Sequence, residues 1–233
     1  MGESPLVSVI IPARDAQATL ARAVASVRAQ TYTSVEVVVV DDASEDQGRA
    51  CRECAPDRLV LRETSAGPGA ARNAGVAAAN GSLLAFLDAD DWWLPEKLQA
   101  YLEHLQGTGN DLAVGYFRYE LEGVAVPAGF NPALLNGEHL GRIPSALVVR
   151  RRAFAALGGF DETRMTAEDV EWFGRVARAG LSPSVVPGVH LVKSVSGRNL
   201  SLRHSSARRD LFEVLTANLR ARRSRTIAEP VGE

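Results

Sequence analysis

A chain of 233 residues with 46% hydrophobic and 23% charged content has the make-up of a globular protein, long enough to bury a sizeable core and best read as one large domain. A net charge of −2 argues against a general polyanion binder, and no apolar run approaches the ~18 residues of a membrane span. Cys51 and Cys54, with four scattered histidines, supply neither a second thiol pair nor a zinc-ligand set, so they read as reduced thiols without function.

In chain order, the opening MGESPLVSVIIP carries no basic n-region and reads as entering a strand rather than as a signal peptide. Val7, Val9, Ile10 and Ile11 belong to that first strand, which Pro12 is expected to break. A helix over 16–30 follows, with Leu20, Val24 and Val27 on one face. Residues 35–40 form a second buried strand ending at Asp41 and Asp42. A short polar helix over 45–54 and a third strand over 59–61 come next. The Gly/Pro loop at 66–69 becomes an Ala-rich helix to about residue 80, which Gly81 closes by the left-handed cap preference. Strand and helix alternate through a fourth strand at 83–87, the pattern of a parallel, doubly wound sheet with helices on both faces. Neither G-x-G-x-x-G after the first strand nor G-x-x-x-x-G-K-[ST] is present, which disfavours dinucleotide and P-loop chemistry.

The second half is less regular. A helix opened by Pro95 carries Leu94, Leu98, Tyr101, Leu102 and Leu105 on one face. A strand over 112–121 leads into a long Gly/Pro-rich loop, 122–142, of a length that is functional or disordered. A strand over 146–149 and a helix over 151–157 follow. The next helix, over 168–179, turns Val170, Phe173, Val176 and Ala177 inward and stops at Gly180. Short strands within 185–195 and a helix over about 205–223 complete the expectation.

The stretch that stands out is SLLAFLDADDWW. A strand buried on both faces delivers Asp88, Asp90 and Asp91 to its carboxyl end, where open α/β sheets bind ligands. Three carboxylates so close repel one another unless a cation sits among them, and hard ions such as Mg²⁺ or Mn²⁺ take oxygen ligands. An acidic turn capping the next helix is the alternative. Trp92 and Trp93 serve equally as a sugar-lining pair or as core.

With these pieces in order, the chain resembles the family 2 glycosyltransferases of GT-A fold over roughly residues 5–201. VSVIIPARD, VEVVVVDDAS, AGPGAARNAG, LLAFLDADDWWLPEKL and LGGFDE with AEDVEWFGRVARAG match that family's motifs in order. The resemblance implies an inverting hexosyltransferase that uses a nucleotide-diphosphate sugar (a UDP-sugar) and a divalent Mn²⁺ or Mg²⁺. It implies that Pro12, Ala13, Arg14 and Asp15 border the base and ribose, with Arg14 where many members carry an aromatic residue. It further places Asp42 at the base, Arg72 near the diphosphate, Asp88 and Asp90 at the donor, and Asp91 with Asp90 at the metal. Asp169 matches the catalytic base; Glu168, Lys193, Arg198 and Trp93 are candidates for phosphate or acceptor contacts. Ser196 stands where many members have a histidine.

The resemblance divides the chain into a donor half (1–92), an acceptor half (93–204) and a basic tail (205–233), within one cytoplasmic domain serving polysaccharide or glycoconjugate synthesis. The acceptor is open: a glycan, lipid-linked, peptide or small molecule. From Arg198 to Arg225, eight Arg against Asp210 and Glu213 give a local excess of +6. This reads either as the solvated face of an amphipathic helix or as peripheral contact with an anionic membrane. It lacks the interleaved aromatics that would stack nucleic-acid bases.

Overall fold

The computed structural model describes residues 4–123, 125–197, 210–212, 214 and 216. In the first half, β1 (Val7–Ala13), β2 (Val35–Asp41), β3 (Arg58–Leu61) and β4 (Leu83–Phe86) alternate with α1 (Leu20–Arg28), α2 (Arg49–Glu53) and α3 (Gly67–Ala78). The second half adds β5 (Trp92–Trp93), α4 (Lys97–Thr108), β6 (Leu112–Leu121), β7 (His139–Leu140), β8 (Val148–Arg150), α5 (Arg151–Leu157), α6 (Glu168–Arg178) and β9 (Ser184–Val195). Among the described residues these strands form one nine-stranded sheet in the order β3-β2-β1-β4-β8-β6-β9-β5, with β7 on β6.

The pairing directions decide where function can sit. β1 to β4 are mutually parallel. β8 is antiparallel to both β4 and β6, so β6 runs with β4, and β9 is parallel to β6. The carboxyl ends of β1, β2, β4, β6 and β9 therefore open on one edge, and the loops after them meet there.

The sheet is buried on both faces, which is why its central strands are nearly all apolar. Val7, Val9 and Ile11 face the cluster made with Leu20, Val24 and Val27 of α1 and Leu98, Tyr101 and Leu105 of α4. Ile10, one residue out of phase, faces Ala71, Phe154, Trp172, Phe173 and Val176 on α3, α5 and α6. No helix among the described residues is long and apolar enough to cross a membrane.

Several local expectations shift. Pro12 does not break β1, which runs on to Ala13. β4 pairs β1 only as far as Ile10, so at Pro12 that side of the strand needs no N–H. α1 begins at Leu20 and α4 at Lys97, leaving Pro95 two residues outside its helix. Gly81 is no left-handed cap: α3 ends in extended backbone at Ala79, and a Cβ on Gly81 would lie 2.6 Å from the Leu6 carbonyl oxygen. Close approach to β1, not helix termination, requires glycine there. On α6, Trp172 takes the inward place expected of Ala177, which is exposed, while Val170 is only half-buried. The expected helix near the C-terminus lies mostly outside the described residues.

One core position was not anticipated. Lys97 is fully buried, and its Nζ has no hydrogen-bond partner among the described residues; it lies 4.5 Å from the centre of the Trp93 ring and 4.1 Å from that of Tyr101. Burial drives its pKa well below the usual lysine value. Between the folded and the unfolded value, near 10.4, the unfolded chain holds a proton that the folded chain lacks, so the stability deficit shrinks as pH rises. Lys97→Met is expected to raise Tm at pH 7 by about 2–4 °C or more. Its advantage over the natural chain should narrow between pH 7 and pH 10 in thermal unfolding; a gap constant over that range would show that Lys97 is not titrating.

Candidate active site

Two loops at the carboxyl edge lock together first. Asp15, at φ 50°, accepts from the Glu45 N–H at 2.8 Å and donates its own N–H to Ser44 Oγ at 3.0 Å, joining the loop after β1 to the loop after β2. Ala43, at φ 60°, turns in the second loop. Pro12 and Ala13 are strand residues, and Ala13 is buried. Arg14 is exposed and donates to Ser65 Oγ at 2.8 Å.

Asp42 is buried and fully engaged. It accepts from Arg62 Nη1 at 2.6 Å, Ser65 Oγ at 2.6 Å and the Gly67 N–H at 3.1 Å, so it caps the start of α3, the Gly-rich helix, rather than α2. Ser65 thus ties Arg14 to Asp42, a link that no spacing in the sequence indicates.

The acids after β4 are held by two cations. Asp88 accepts from Arg72 Nη2 at 2.6 Å, and its N–H donates to Ser145 Oγ at 3.0 Å. Burial opposes its ionisation, but Arg72 and then Lys193 outweigh it and hold the carboxyl well below the usual range. Asp91 is 1% exposed; Lys193 Nζ donates to its Oδ2 at 2.5 Å and the Ser194 N–H to its Oδ1 at 3.1 Å. Lys193 also reaches Asp88 at 3.4 Å. Burial, then Asp90 and Asp88, push Asp91 up while Lys193 pulls it down, leaving it raised. Lys193 itself remains a cation, because Asp91, Asp88 and Asp90 outweigh its own burial.

This geometry tests the expected metal ligands. Both oxygens of Asp91 are taken, and no group of three or more His, Cys, Asp or Glu among the described residues is arranged around a metal position. Lys193 lies between Asp91 and Asp88, so metal ligation by Asp91 would require Lys193 to move. Asp90 is half-buried at the rim and fits as a single carboxylate ligand, the number that a magnesium-type ion shared with a diphosphate takes. Arg198 lies outside the described residues.

On the acceptor side, α6 starts at Ala167, in a left-handed conformation (φ 63°, ψ 16°) that costs a non-glycine residue about 1–2 kcal/mol. Glu168 and Asp169 follow and diverge. Glu168 is buried against Arg72, with Nη1 to Oε1 at 2.6 Å. Asp169 accepts from the Val170 N–H at 2.8 Å, and its pKa rises to about 6 through burial first and the Glu168 charge second. Arg72 is thus neither solvated nor open to a ligand: it is 4% exposed, lies 5.5 Å from the centre of the Phe160 ring and spans from Asp88 to Glu168. A Cβ on Gly69 would come within 3.1 Å of Glu168 Cγ, so α3 and the start of α6 meet too closely there for a side chain.

Trp93 belongs to the core; its Nε1 donates to the Ser145 carbonyl at 3.0 Å, and it lines no open surface. Trp92 is half-buried under Arg22, whose guanidinium carbon lies 4.0 Å from the ring centre. Ser145 is the residue that sequence reasoning missed, and its only signal is a place just before a buried strand. Cys51 and Cys54 are free thiols, and burial and then Asp41 push Cys51 up to about 12, which suppresses thiolate chemistry.

Comparison with known proteins agrees with this architecture. The model for glycosyl transferase family 2 matches residues 8–128. The succinoglycan biosynthesis protein ExoO of Rhizobium meliloti is 41% identical over 113 residues, covering 47% of this chain and 32% of that protein. The amylovoran biosynthesis glycosyltransferase AmsB of Erwinia amylovora is 30% identical over 193 residues, covering 74% and 64%. The Escherichia coli UDP-Glc:alpha-D-GlcNAc-diphosphoundecaprenol beta-1,3-glucosyltransferase WfgD is 35% identical over 119 residues, covering 50% and 46%. The chain thus spans between about a third and two thirds of the length of these relatives. Among solved structures, residues 1–349 of Staphylococcus aureus TarS in complex with UDP-GlcNAc align with a TM-score of 0.72 at 19% identity, over 93% of this chain and 66% of that one. The shared GT-A fold and a family match over half of its length show that this chain belongs to the family 2 glycosyltransferases.

Proposed function

We propose that the protein is an inverting glycosyltransferase that moves a sugar from a nucleoside-diphosphate donor, a UDP-sugar, to a saccharide-bearing acceptor. The observation that carries this reading is Asp169, a half-buried carboxylate with its pKa raised to about 6, at the start of a helix that Arg72 links to the acidic loop after β4. TarS with UDP-GlcNAc and the UDP-glucose-using WfgD support the choice of donor.

In the proposed step, the Asp169 carboxylate takes the proton of an acceptor hydroxyl as that oxygen attacks the anomeric carbon. The bond from that carbon to the diphosphate oxygen breaks, and the nucleoside diphosphate leaves with the electron pair from the opposite face. Lys193, already cationic beside Asp88 and Asp91, is the described side chain best placed to neutralise the leaving diphosphate. Asp90, with the diphosphate, would hold a divalent ion, whose chemistry would be charge neutralisation on the leaving group. The loops after β1 and β2, with Asp15, Arg14 and Asp42, form the rim for the base. The basic stretch 198–225 is proposed as a surface for an anionic membrane carrying a lipid-linked acceptor; it falls mostly outside the described residues.

A panel of UDP-sugars scored by UDP release tests the donor. Asp169→Asn is expected to bind UDP as the natural chain does while losing transfer by about 10²–10⁴-fold; near-normal turnover would remove Asp169 from the mechanism. A base works only when deprotonated, so kcat/KM should fall as pH drops through about 6. A rate flat from pH 5 to pH 8 would contradict Asp169 as the base.

A further inference from the structure

Arg72 and its neighbour Asn73 carry out a task distinct from donor binding. Asn73 Nδ2 donates to the Phe160 carbonyl at 2.8 Å, and its Oδ1 accepts the Phe160 N–H at 2.9 Å. A Cβ on Gly159 would lie 2.6 Å from Asn73 Oδ1. One residue earlier on α3, Arg72 lies over the ring of that same Phe160 and sends one arm to Asp88 and the other to Glu168. Two adjacent side chains of α3 therefore grip the segment 159–168 from its glycine turn to the residue next to Asp169.

We propose that Arg72, with Glu168, is a positioning pair that fixes the start of α6 and so aims the Asp169 carboxylate, rather than a contact to the donor diphosphate. Three features carry this. The guanidinium is buried, 4% exposed, with both terminal nitrogens on carboxylates, and only its Nε lacks a hydrogen-bond partner among the described residues. Glu168 is buried and points into α3, where it packs against Gly69 and pairs with Arg72. Ala167 holds a left-handed backbone immediately before the pair, and such a conformation persists only when its surroundings over-determine it. The charged groups acting on Asp169 are Glu168 beside it, Arg72 from α3 and Asp88 from the loop after β4. The ion pair thus joins the donor acids to the base across the sheet edge.

This inference deepens the glycosyltransferase reading and rests on it for its kinetic consequences, so the experiment includes a readout free of both donor and acceptor. Glu168→Gln keeps the size of the side chain and an acceptor for Arg72 while removing the charge. Carboxyl ¹³C resonances are titrated in the natural chain and in Glu168→Gln, with Asp169→Asn used for assignment. UDP affinity is measured by calorimetry, and UDP release from the donor is followed in parallel. The expected result is that Asp169 titrates below its natural value of about 6 in Glu168→Gln. UDP affinity should stay within about threefold, and kcat for UDP release should fall by about 10²-fold, as expected when a catalytic group is misaimed by about an ångström.

Arg72→Met is expected to give the same split between kcat and UDP affinity, and the double variant is expected to cost no more than either single change, as for residues acting as a unit. Should Arg72→Met fail to fold because Glu168 is left buried and unpaired, Glu168→Gln alone still decides. The proposal is overturned if Asp169 titrates identically in Glu168→Gln, or if Arg72→Met weakens UDP binding more than tenfold while Glu168→Gln leaves kcat unchanged. A natural chain that neither binds UDP nor releases it would refute the donor reading, whereas a chain that does both, with kcat unchanged in Glu168→Gln, would overturn the positioning role alone.

Discussion

Everything at the carboxyl edge of this sheet depends on two cations that bridge its acids. Asp88 and Asp91, from the loop after β4, and Glu168, from the start of α6, converge where parallel strands end. Desolvated carboxylates so close to one another would protonate or push the loops apart. Two cations stand between them: Arg72 spans Asp88 and Glu168, and Lys193 spans Asp91 and Asp88. Asp88 receives both and is the acid held most firmly ionised, while Asp169, which receives neither directly, is left near 6. Carboxylates one helix turn apart in function thus acquire different proton affinities from their neighbours alone.

The fold supplies the convergence. β8 is inserted antiparallel between β4 and β6, which restores the direction of β6 and β9 to that of the first four strands. Without that reversal, Lys193 and Ser194 would leave the sheet at the far edge and Asp91 would lose both of its partners. α3 then crosses from the donor loops to α6 with almost no side-chain bulk, and its small residues let Arg72 and Asn73 reach the segment that carries Asp169. Asp42, in the loop after β2, caps the start of that helix, so the loop after β2 and the start of α6 both rest on α3.

Buried ion pairs are weak evidence for stability, since desolvation cancels much of their attraction. Their value here is geometric: each fixes two backbone segments at hydrogen-bond distance. Lys97 is the contrasting case, a buried amine beside aromatic rings with no hydrogen-bond partner among the described residues, whose cost is visible as a depressed proton affinity.

Much of this was legible in the residues. Apolar runs at 7–11, 35–40 and 83–87, separated by helical periodicity, required a parallel sheet, and the acids following them had to lie at its carboxyl edge; local pattern determines both. The ordered motifs carried the family and drew attention to Asp88, Asp90, Asp91 and Asp169. What local pattern leaves undetermined is which side chain each acid meets. Lys193 lies 102 positions from Asp91, and Glu168 lies 96 from Arg72; no spacing rule operates over such separations. The same holds for Gly81, whose neighbour is a strand 73 residues earlier rather than its own helix. The sequence by itself determined the alternation of strands and helices in the first half, the parallel sheet, the edge on which chemistry gathers and the family. Only the tertiary structure decided that Asp91 is paired with Lys193, that Trp93 is core and that Arg72 is buried between two acids, because pairing over long sequence separation and the desolvation that accompanies it exist only once the sheet has closed.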